Sequence, residues 1–573
     1  MTQVVLFLIV FIALIMVTGK YLYHIAEGKH TFADPVFDKV DKFIYRLCGI
    51  KKEEMGWKQY AMAMLATNAV MVFVGYLILR IQVMPVFNPN EIGNMEPTLS
   101  FNTIISFMTN TNLQHYAGES GLSYFSQMAV ITFMMFTSAA TGFAVAMAFI
   151  RGLAGKTKTF GNFYVDFTRI TTRVLLPISI VVGLLLVSQG VPQNLSPNVT
   201  VQTIEGRYQD IAMGPVASME IIKHLGTNGG GFFGANSSAP FENPNVLTNM
   251  IEMMSMMLMP GSCVIAFGHM VRSRRKKTVV DGKEKAVWFG SEARPIFAVM
   301  AAIFIIGLGI CWSAESKGNP ILANIGLSQS MGSMEGKEDR FGVTQSALFT
   351  TVTTAFTTGS VDNMHDTLTP LGGAVPMMNM MLNVVFGGKG VGLMNMLVYA
   401  ILAVFICGLM VGRTPEYLGK KIEGREMKLT ALAIIIHPFI ILFFAALALS
   451  TTGGLAGITN PGYHGLSQVV YEYASSAANN GSGFEGLADN SYFWNITTGL
   501  AMFFGRYLAM IIQLAIVGSL IMKQPVSESI GTLRTDTTTF AISLFMVVLI
   551  IAALTFFPAM VLGPVAEHLA LFN

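Results

Sequence analysis

The sequence predicts an all-α, polytopic membrane protein: four pseudo-repeated units around a central pore, plus one extra span at each end of the chain. Three observations predict it. Apolar residues make up 53 % of the chain and charged residues 12 %, about half the roughly 25 % usual in soluble domains. About ten apolar stretches are long enough to cross a bilayer. A short polar, glycine-bearing turn also recurs four times in register.

That turn is clearest at Thr227 to Pro244, TNGGGFFGANSSAPFENP, which holds no Lys or Arg. Thr109-Asn110-Thr111-Asn112-Leu113, Thr227-Asn228-Gly229-Gly230-Gly231, Thr357-Thr358-Gly359-Ser360-Val361 and Asn479-Asn480-Gly481-Ser482-Gly483 align residue for residue, at spacings of 118, 130 and 122. Each follows a short, moderately apolar segment, Leu99–Met108, Val216–Gly226, Thr344–Phe356 or Leu466–Ala478, read here as a half-helix. Irregular backbone at membrane depth is tolerated only where protein buries it or water wets it. Glycine frees that backbone to turn carbonyls toward one point, and converging carbonyls replace the hydration shell of a cation in selective pores. One such turn reads as an ordinary external loop. Four in register predict span, half-helix, turn and span, closing a ring around one axis.

In chain order, the spans begin with Val4–Val17, continuing to about Tyr23; with no Lys or Arg before Lys20 it reads as a retained span rather than a signal peptide. Further spans are predicted at about Tyr60–Ile81, Phe125–Ile150, Arg173–Ser188, Val246–Val271, Pro295–Trp312, Met377–Val411, Leu429–Leu449, Phe493–Ile521 and Thr537–Val561. Gly387-Gly388-Lys389-Gly390 interrupts the seventh and predicts a broken helix. Loops 26–58, 151–174, 272–294, 413–428 and 523–535 hold 27 of the 36 Lys and Arg residues, whereas the alternate loops are nearly bare. The positive-inside rule makes the basic loops cytoplasmic, so the four turns and both termini face outward. The resulting division is first span 1–25, loop 26–58, repeat one 59–150, loop 151–174, repeat two 175–271 and loop 272–294. It continues with repeat three 295–412, loop 413–428, repeat four 429–522, and the last span with its tail, 523–573.

Charges sharpen the reading. Glu119, Glu242, Asp362, Asp366, Glu485 and Asp489 lie near the turns and would concentrate cations at an outer mouth. Arg506 lies within the ninth span and Lys389 within the glycine break. Charges at that depth usually face a cavity or a partner, which makes these two a positive barrier or gate below the turns. A net charge of +3 leaves no nucleic-acid footprint. Four scattered cysteines without a CxxC pair argue against a disulfide or zinc framework. His115 and His365 follow turns one and three and are read as hydrogen-bonding groups rather than metal ligands. No aspartyl-phosphate DKTGT motif occurs, and Gly155-Lys156-Thr157 lacks the upstream glycine of a phosphate loop. No ATP site or catalytic group is therefore expected on this chain.

TNTNLQHY, TNGGGFFGANSSAPFENP, TTGSVDNMHDTLTPLGG and SSAANNGSGFEGL resemble the four filter segments of the potassium-transporting ATPase A subunit family, KdpA. GRTPEYLGKKI and LTFFPAMVLGPVAEHL are also similar to that family, and the resemblance runs over essentially the whole chain. More remotely, the chain resembles the Trk/Ktr/HKT potassium transporters. The resemblance implies a bacterial inner-membrane subunit that selects K+ and passes it to a P-type ATPase subunit (KdpB-like), with small KdpC-like and KdpF-like subunits and membrane lipids as further partners. It implies a K+ filter of Asn110, Thr111, Asn112, Asn228, Gly229, Gly230, Thr358, Gly359, Ser360, Asn480, Gly481 and Ser482, with Gln114 beside it. Gate or coupling roles would fall to Asn383, Gly387, Gly388, Lys389, Arg413 and Arg506, the two arginines matching ones the family places below the filter. The family typically has Glu where this chain has Asn383, and an apolar residue at Lys389, so a carboxylate partner for Arg506 is missing and a cation is added. The residues alone support binding of a dehydrated monovalent cation; K+ follows from the resemblance. An autonomous channel or ion-coupled transporter without an ATPase partner is the alternative.

Overall fold

The computed structural model describes residues 2–572 apart from 156–158, 273–278, 281–282, 285–289, 525 and 527–532. Much of the basic loop 272–294, part of 523–535, and Lys156 and Thr157 of the Gly155-Lys156-Thr157 sequence lie outside the described residues. Among the described residues, ten helices are long and apolar enough to cross a membrane. They are Thr2–Ala26, Trp57–Arg80, Tyr124–Leu153, Phe163–Ser188, Val246–Val271, Ala293–Asn324, Gly388–Val411, Gly424–Leu449, Tyr492–Ile521 and Thr538–Leu571. The most apolar 18-residue window of the third is 89 % buried inside the protein, against 22 % for the first. The third span therefore forms the centre and the first lies at the periphery.

Lipid offers apolar side chains no reason to leave it, so helices associate where small residues let backbones approach. The first and fifth spans show this reciprocally. A Cβ on Gly19 would sit 2.5 Å from Ile265, and one on Gly261 would sit 2.8 Å from Ile15 and Phe11. At the third span, a Cβ on Gly142 would collide with Lys389 at 2.5 Å and with the Arg506 guanidinium at 2.7 Å, so this glycine makes room for both cations.

Four half-helices stand between the paired spans: Pro97–Met108, Val216–Leu225, Gly342–Ala355 and Tyr463–Ala478. Pro97 at the start of the first fits a position where no N–H is needed, and Glu96 accepts the Leu99 N–H there as a cap. Each half-helix ends directly on one of the four polar turns. In repeat three the break is longer than the glycine cluster alone suggests. A helix Pro370–Leu382 stops at Asn383 in left-handed conformation, and regular helix resumes at Val391. Asn383, Phe386, Gly387, Lys389 and Gly390 all have positive φ. The Gly387 N–H donates to the Ala355 carbonyl at 3.1 Å, tying the break to the half-helix of its own repeat.

Between the first two spans, the helix Asp34–Leu47 presents three aspartates to Arg173. The guanidinium meets Asp34 at 2.7 Å, Asp38 at 2.7 Å and Asp41 at 2.6 Å. Asp41 is 3 % exposed and Asp38 53 %. Arg173→Ala leaves the Asp41 carboxylate buried without its cation, a change that typically costs about 3–5 kcal/mol. Asp38→Ala removes a solvent-screened partner and should cost under about 1 kcal/mol. Thermal unfolding in detergent should rank Arg173→Ala well below Asp38→Ala; equal midpoints would contradict this anchoring role.

Candidate ion-binding site formed by four turns

The four turns meet. A Cβ on Gly229 would lie 2.6 Å from the Thr111 carbonyl oxygen, 2.9 Å from that of Asn480 and 2.9 Å from the Gly481 Cα. One on Gly359 would lie 2.1 Å from the Asn480 oxygen, and one on Gly481 would lie 1.9 Å from the Thr111 oxygen. Backbone of turn two thus touches turns one, three and four, and no side chain fits between them. Gly359 and Gly481 also have φ of 92° and 108°, a left-handed backbone that residues bearing a Cβ rarely adopt. Asn110, Asn112, Thr227, Thr357 and Asn479 are left-handed too. Reversing φ within a short turn swings successive carbonyls to one side, the arrangement a ring of oxygen ligands needs.

Side chains behind the turns fix that backbone. Asn110 Nδ2 donates to the Thr227 carbonyl at 2.8 Å, and the Gly229 N–H donates to the Thr111 carbonyl at 3.2 Å. Asn228 Nδ2 reaches Asn112 Oδ1 at 3.3 Å. Asn480 Nδ2 donates to the Thr353 carbonyl at 2.9 Å, and Asn479 Nδ2 to Thr111 Oγ1 at 3.0 Å. The half-helix hydroxyls of Thr353 and Ser475 each accept an N–H, from Gly359 and Gly481 respectively, at 3.0 Å. The Thr358 N–H donates to the Thr353 carbonyl at 2.8 Å. Ser360 Oγ bonds His224 Nε2 at 2.9 Å, and Ser482 Oγ bonds the Tyr471 hydroxyl at 2.8 Å. Gln114 clasps turn two, its Oε1 accepting the Gly231 N–H at 2.8 Å and its Nε2 donating to the Gly231 carbonyl at 3.1 Å. A Cβ on Gly230 would strike the Asn112 carbonyl and Gln114. All twelve residues of the four segments, and Gln114, are therefore in one assembly.

Beneath it lies the break of repeat three. A Cβ on Gly388 would lie 2.6 Å from Thr227 Oγ1 and 2.8 Å from the Thr357 carbonyl. The Lys389 N–H donates to Thr227 Oγ1 at 3.0 Å, and its Nζ donates to the Asn479 carbonyl at 2.6 Å. Arg506 Nη2 donates to the Ser138 carbonyl at 3.3 Å. Among the described residues no carboxylate forms an ion pair with Lys389 or Arg506. Asn383 occupies the neighbouring space, its Nδ2 pointing to the Ala478 carbonyl at 3.5 Å. A cavity lined by Asn383, Asn395, His437, Asn479 and Arg506 opens here. Arg413 is not part of this group: it is exposed, just beyond the far end of Val391–Val411.

Glu242 and Asp362, read as charges at an outer mouth, are instead buried, as are Lys223 and Lys337. Lys223 lies on the second half-helix and pairs with Glu220 at 2.8 Å and Glu242 at 2.7 Å, all three fully buried. Lys337 pairs with Glu315 at 2.7 Å, and Asp362 is buried beside Asn249. Glu220, Lys223, His224, Glu242 and Glu252 form a polar block behind turns two and three. Glu220, Lys223 and His224 share one face of the half-helix, but Glu242 and Glu252 join them only in the fold, so no local signal marked the whole block.

Comparison with known proteins agrees with this architecture. The family model of KdpA, the potassium-transporting ATPase A subunit, matches residues 5–569. The chain is 59 % identical over 570 residues to the potassium-transporting ATPase potassium-binding subunit of Clostridium acetobutylicum, covering 99 % of each chain. It is 55 % identical over 571 residues to the subunit of the same description in Geobacillus kaustophilus, covering 100 % of this chain and 99 % of that one. The crystal structure of the potassium transporter TrkH from Vibrio parahaemolyticus aligns with a TM-score of 0.52 over 89 % of this chain and 97 % of that one. At 14 % identity this likeness speaks to the fold alone.

At the start of the fourth half-helix, His464 sits between Asp366 at 3.0 Å and Glu567 at 2.9 Å. Burial pushes its pKa down, but the two carboxylates outweigh burial and raise it to about 9. A raised folded-state pKa contributes stability that is complete below the ordinary value near 6.5 and lost as pH rises through about 9. Between pH 6.5 and 10 the protein should lose roughly 2–5 °C of its unfolding midpoint through this group. His464→Gln should flatten that part of the profile; an unchanged profile would contradict the ion-pair assignment.

Proposed function

The chain belongs to the KdpA family of potassium-transporting ATPase A subunits, and from that premise we propose that the four turns form a K+-selective filter. The convergence of Thr111, Gly229, Gly359 and Asn480 backbone on one spot is the observation that carries this reading. A dehydrated K+ needs several oxygen ligands at once, and carbonyls from four turns supply them without a net charge that would hold the ion too tightly to release. The filter faces outward and the basic loops face the cytoplasm of a bacterial inner membrane, as the Lys and Arg distribution supports.

Below the filter, Lys389 donates to the carbonyl of Asn479, the first residue of turn four. An ion leaving the filter meets that ammonium, with the Arg506 guanidinium beside it. Two cations with no carboxylate ion pair among the described residues favour a closed exit, which opens when the break of repeat three moves. The ion then passes by the adjoining cavity to a KdpB-like P-type ATPase subunit, which hydrolyses ATP; KdpC-like and KdpF-like subunits complete the assembly.

Radioactive rubidium uptake into vesicles tests the assignment. Uptake should require both this chain and its ATPase partner, together with ATP. Uptake by the chain alone, indifferent to ATP, would identify a channel or secondary transporter instead. In the assembled complex, Gly359→Asp should cut ATP-driven uptake at least tenfold, because the new side chain enters the space of the Asn480 carbonyl. Lys389→Met should raise rubidium leak in the absence of ATP; a leak equal to that of the unaltered complex would remove Lys389 from the gate.

A further inference from the structure

Just past the first turn, His115 faces two carboxylates across the boundary between repeats one and four. Its Nε2 stands 3.5 Å from Glu472 Oε1 and 3.7 Å from Asp489 Oδ2. One donor atom from each of the three residues lies within 4.8 Å of the others. These separations exceed the roughly 2.7–2.9 Å of a charge-assisted hydrogen bond. They come close to the spacing of about 3.3 Å between ligands arranged tetrahedrally around an ion at about 2.0–2.1 Å. Among the described residues, no group meets hydrogen-bond geometry with His115 Nε2 or with either Glu472 oxygen, all of them buried.

The imidazole is oriented for ligation. Its Nδ1 lies 2.7 Å from Asn495 Oδ1. The amide of Asn495 is set in turn by its Nδ2, which donates to Thr98 Oγ1 at 3.3 Å and Asn490 Oδ1 at 3.5 Å. With Oδ1 facing the ring, Nδ1 carries a hydrogen and Nε2 faces the two carboxylates. Burial lowers the imidazole pKa, but the carboxylates outweigh burial and raise the pKa to about 9, so a proton and a metal ion compete for Nε2. An outer partner of this kind fixes the tautomer of metal-binding histidines. Nε2 and two carboxylates aimed at one point call for a positive charge among them, either a proton on Nε2 or a metal ion. Among the described residues, no Lys or Arg forms an ion pair with Glu472 or Asp489 to supply that cation. Asp489 is 27 % exposed and opens the cluster to solvent. The similar group Glu220–His224–Glu252 differs, because the Lys223 ammonium already sits 2.8 Å from Glu220.

We propose that His115, Glu472 and Asp489 bind a divalent transition-metal ion of the zinc type, with the remaining coordination position open to water. The mixed nitrogen and carboxylate set suits such ions, and imidazole is no ligand for K+. An ion held here joins the segment after turn one to the half-helix and loop that flank turn four, bracing the outer mouth. Co2+ is the probe, since its complexes with such ligands absorb visible light. Titrated into the purified complex, Co2+ should give a saturable band, with affinity at least tenfold weaker in His115→Gln and in Asp489→Asn. The second variant alters a partly exposed side chain and guards against loss of folding in the first. Absence of a saturable band, as expected if a proton alone fills the cluster, or an affinity in both variants equal to that of the unaltered complex, overturns the proposal.

Discussion

Backbone contact between the four turns is the constraint from which the rest of the structure follows. Where the Gly229 Cα approaches Gly359 and Gly481, the space a methyl group would need is already filled by carbonyl oxygen. Peptide groups packed this closely must still satisfy their hydrogen bonds inside a protein that lies within lipid. The surrounding residues answer that demand. Short amides and hydroxyls at Asn110, Asn228, Thr353, Ser475, Asn479 and Asn480 bond to backbone or to one another and hold the turns from behind. The half-helices deliver those side chains to the right depth, and the spans hold the half-helices.

The buried charges follow the same logic. Lys223 with Glu220 and Glu242, and Lys337 with Glu315, are ion pairs sealed from solvent. Desolvating such pairs is costly and they add little net stability, whereas removing one partner is severe. Their effect is to fix geometry: the first block reaches the turns through the bond from His224 to Ser360, and the second ties the loop before the third half-helix to the sixth span. Lys389 and Arg506 stand apart because carbonyls rather than carboxylates receive them. A cation held only by carbonyl dipoles moves at lower cost than one held by a carboxylate.

Much of this was legible in the sequence, for a physical reason. Membrane spans advertise themselves by composition, and a polar turn between apolar segments is conspicuous when it recurs in register. The four half-helices and turns therefore fall where the pattern placed them, and so does the interruption at Gly387–Gly390. Partnership was not legible. Lys223 sits in the stretch read as the second half-helix and Lys337 in one of the nearly bare loops, and only the fold shows Glu242 and Glu315 beside them. Glu242 and Asp362, read as rim charges, are buried for the same reason. Arg413 and Arg506 both matched a pattern placing them below the filter, yet only Arg506 lies against Lys389 and Gly142. Linear distance along a helix decided that outcome, and the motif carried no information about it.

In a filter of this kind, carbonyls of all four turns surround one ion. Diffraction from crystals of the complex grown with Rb+ in place of K+, collected at the rubidium absorption edge, tests it most directly. An anomalous peak enclosed by the Thr111 and Asn480 carbonyls, against Gly229 and Gly359, is the predicted result. A peak only at the outer carboxylates, or none in the protein, would contradict the account.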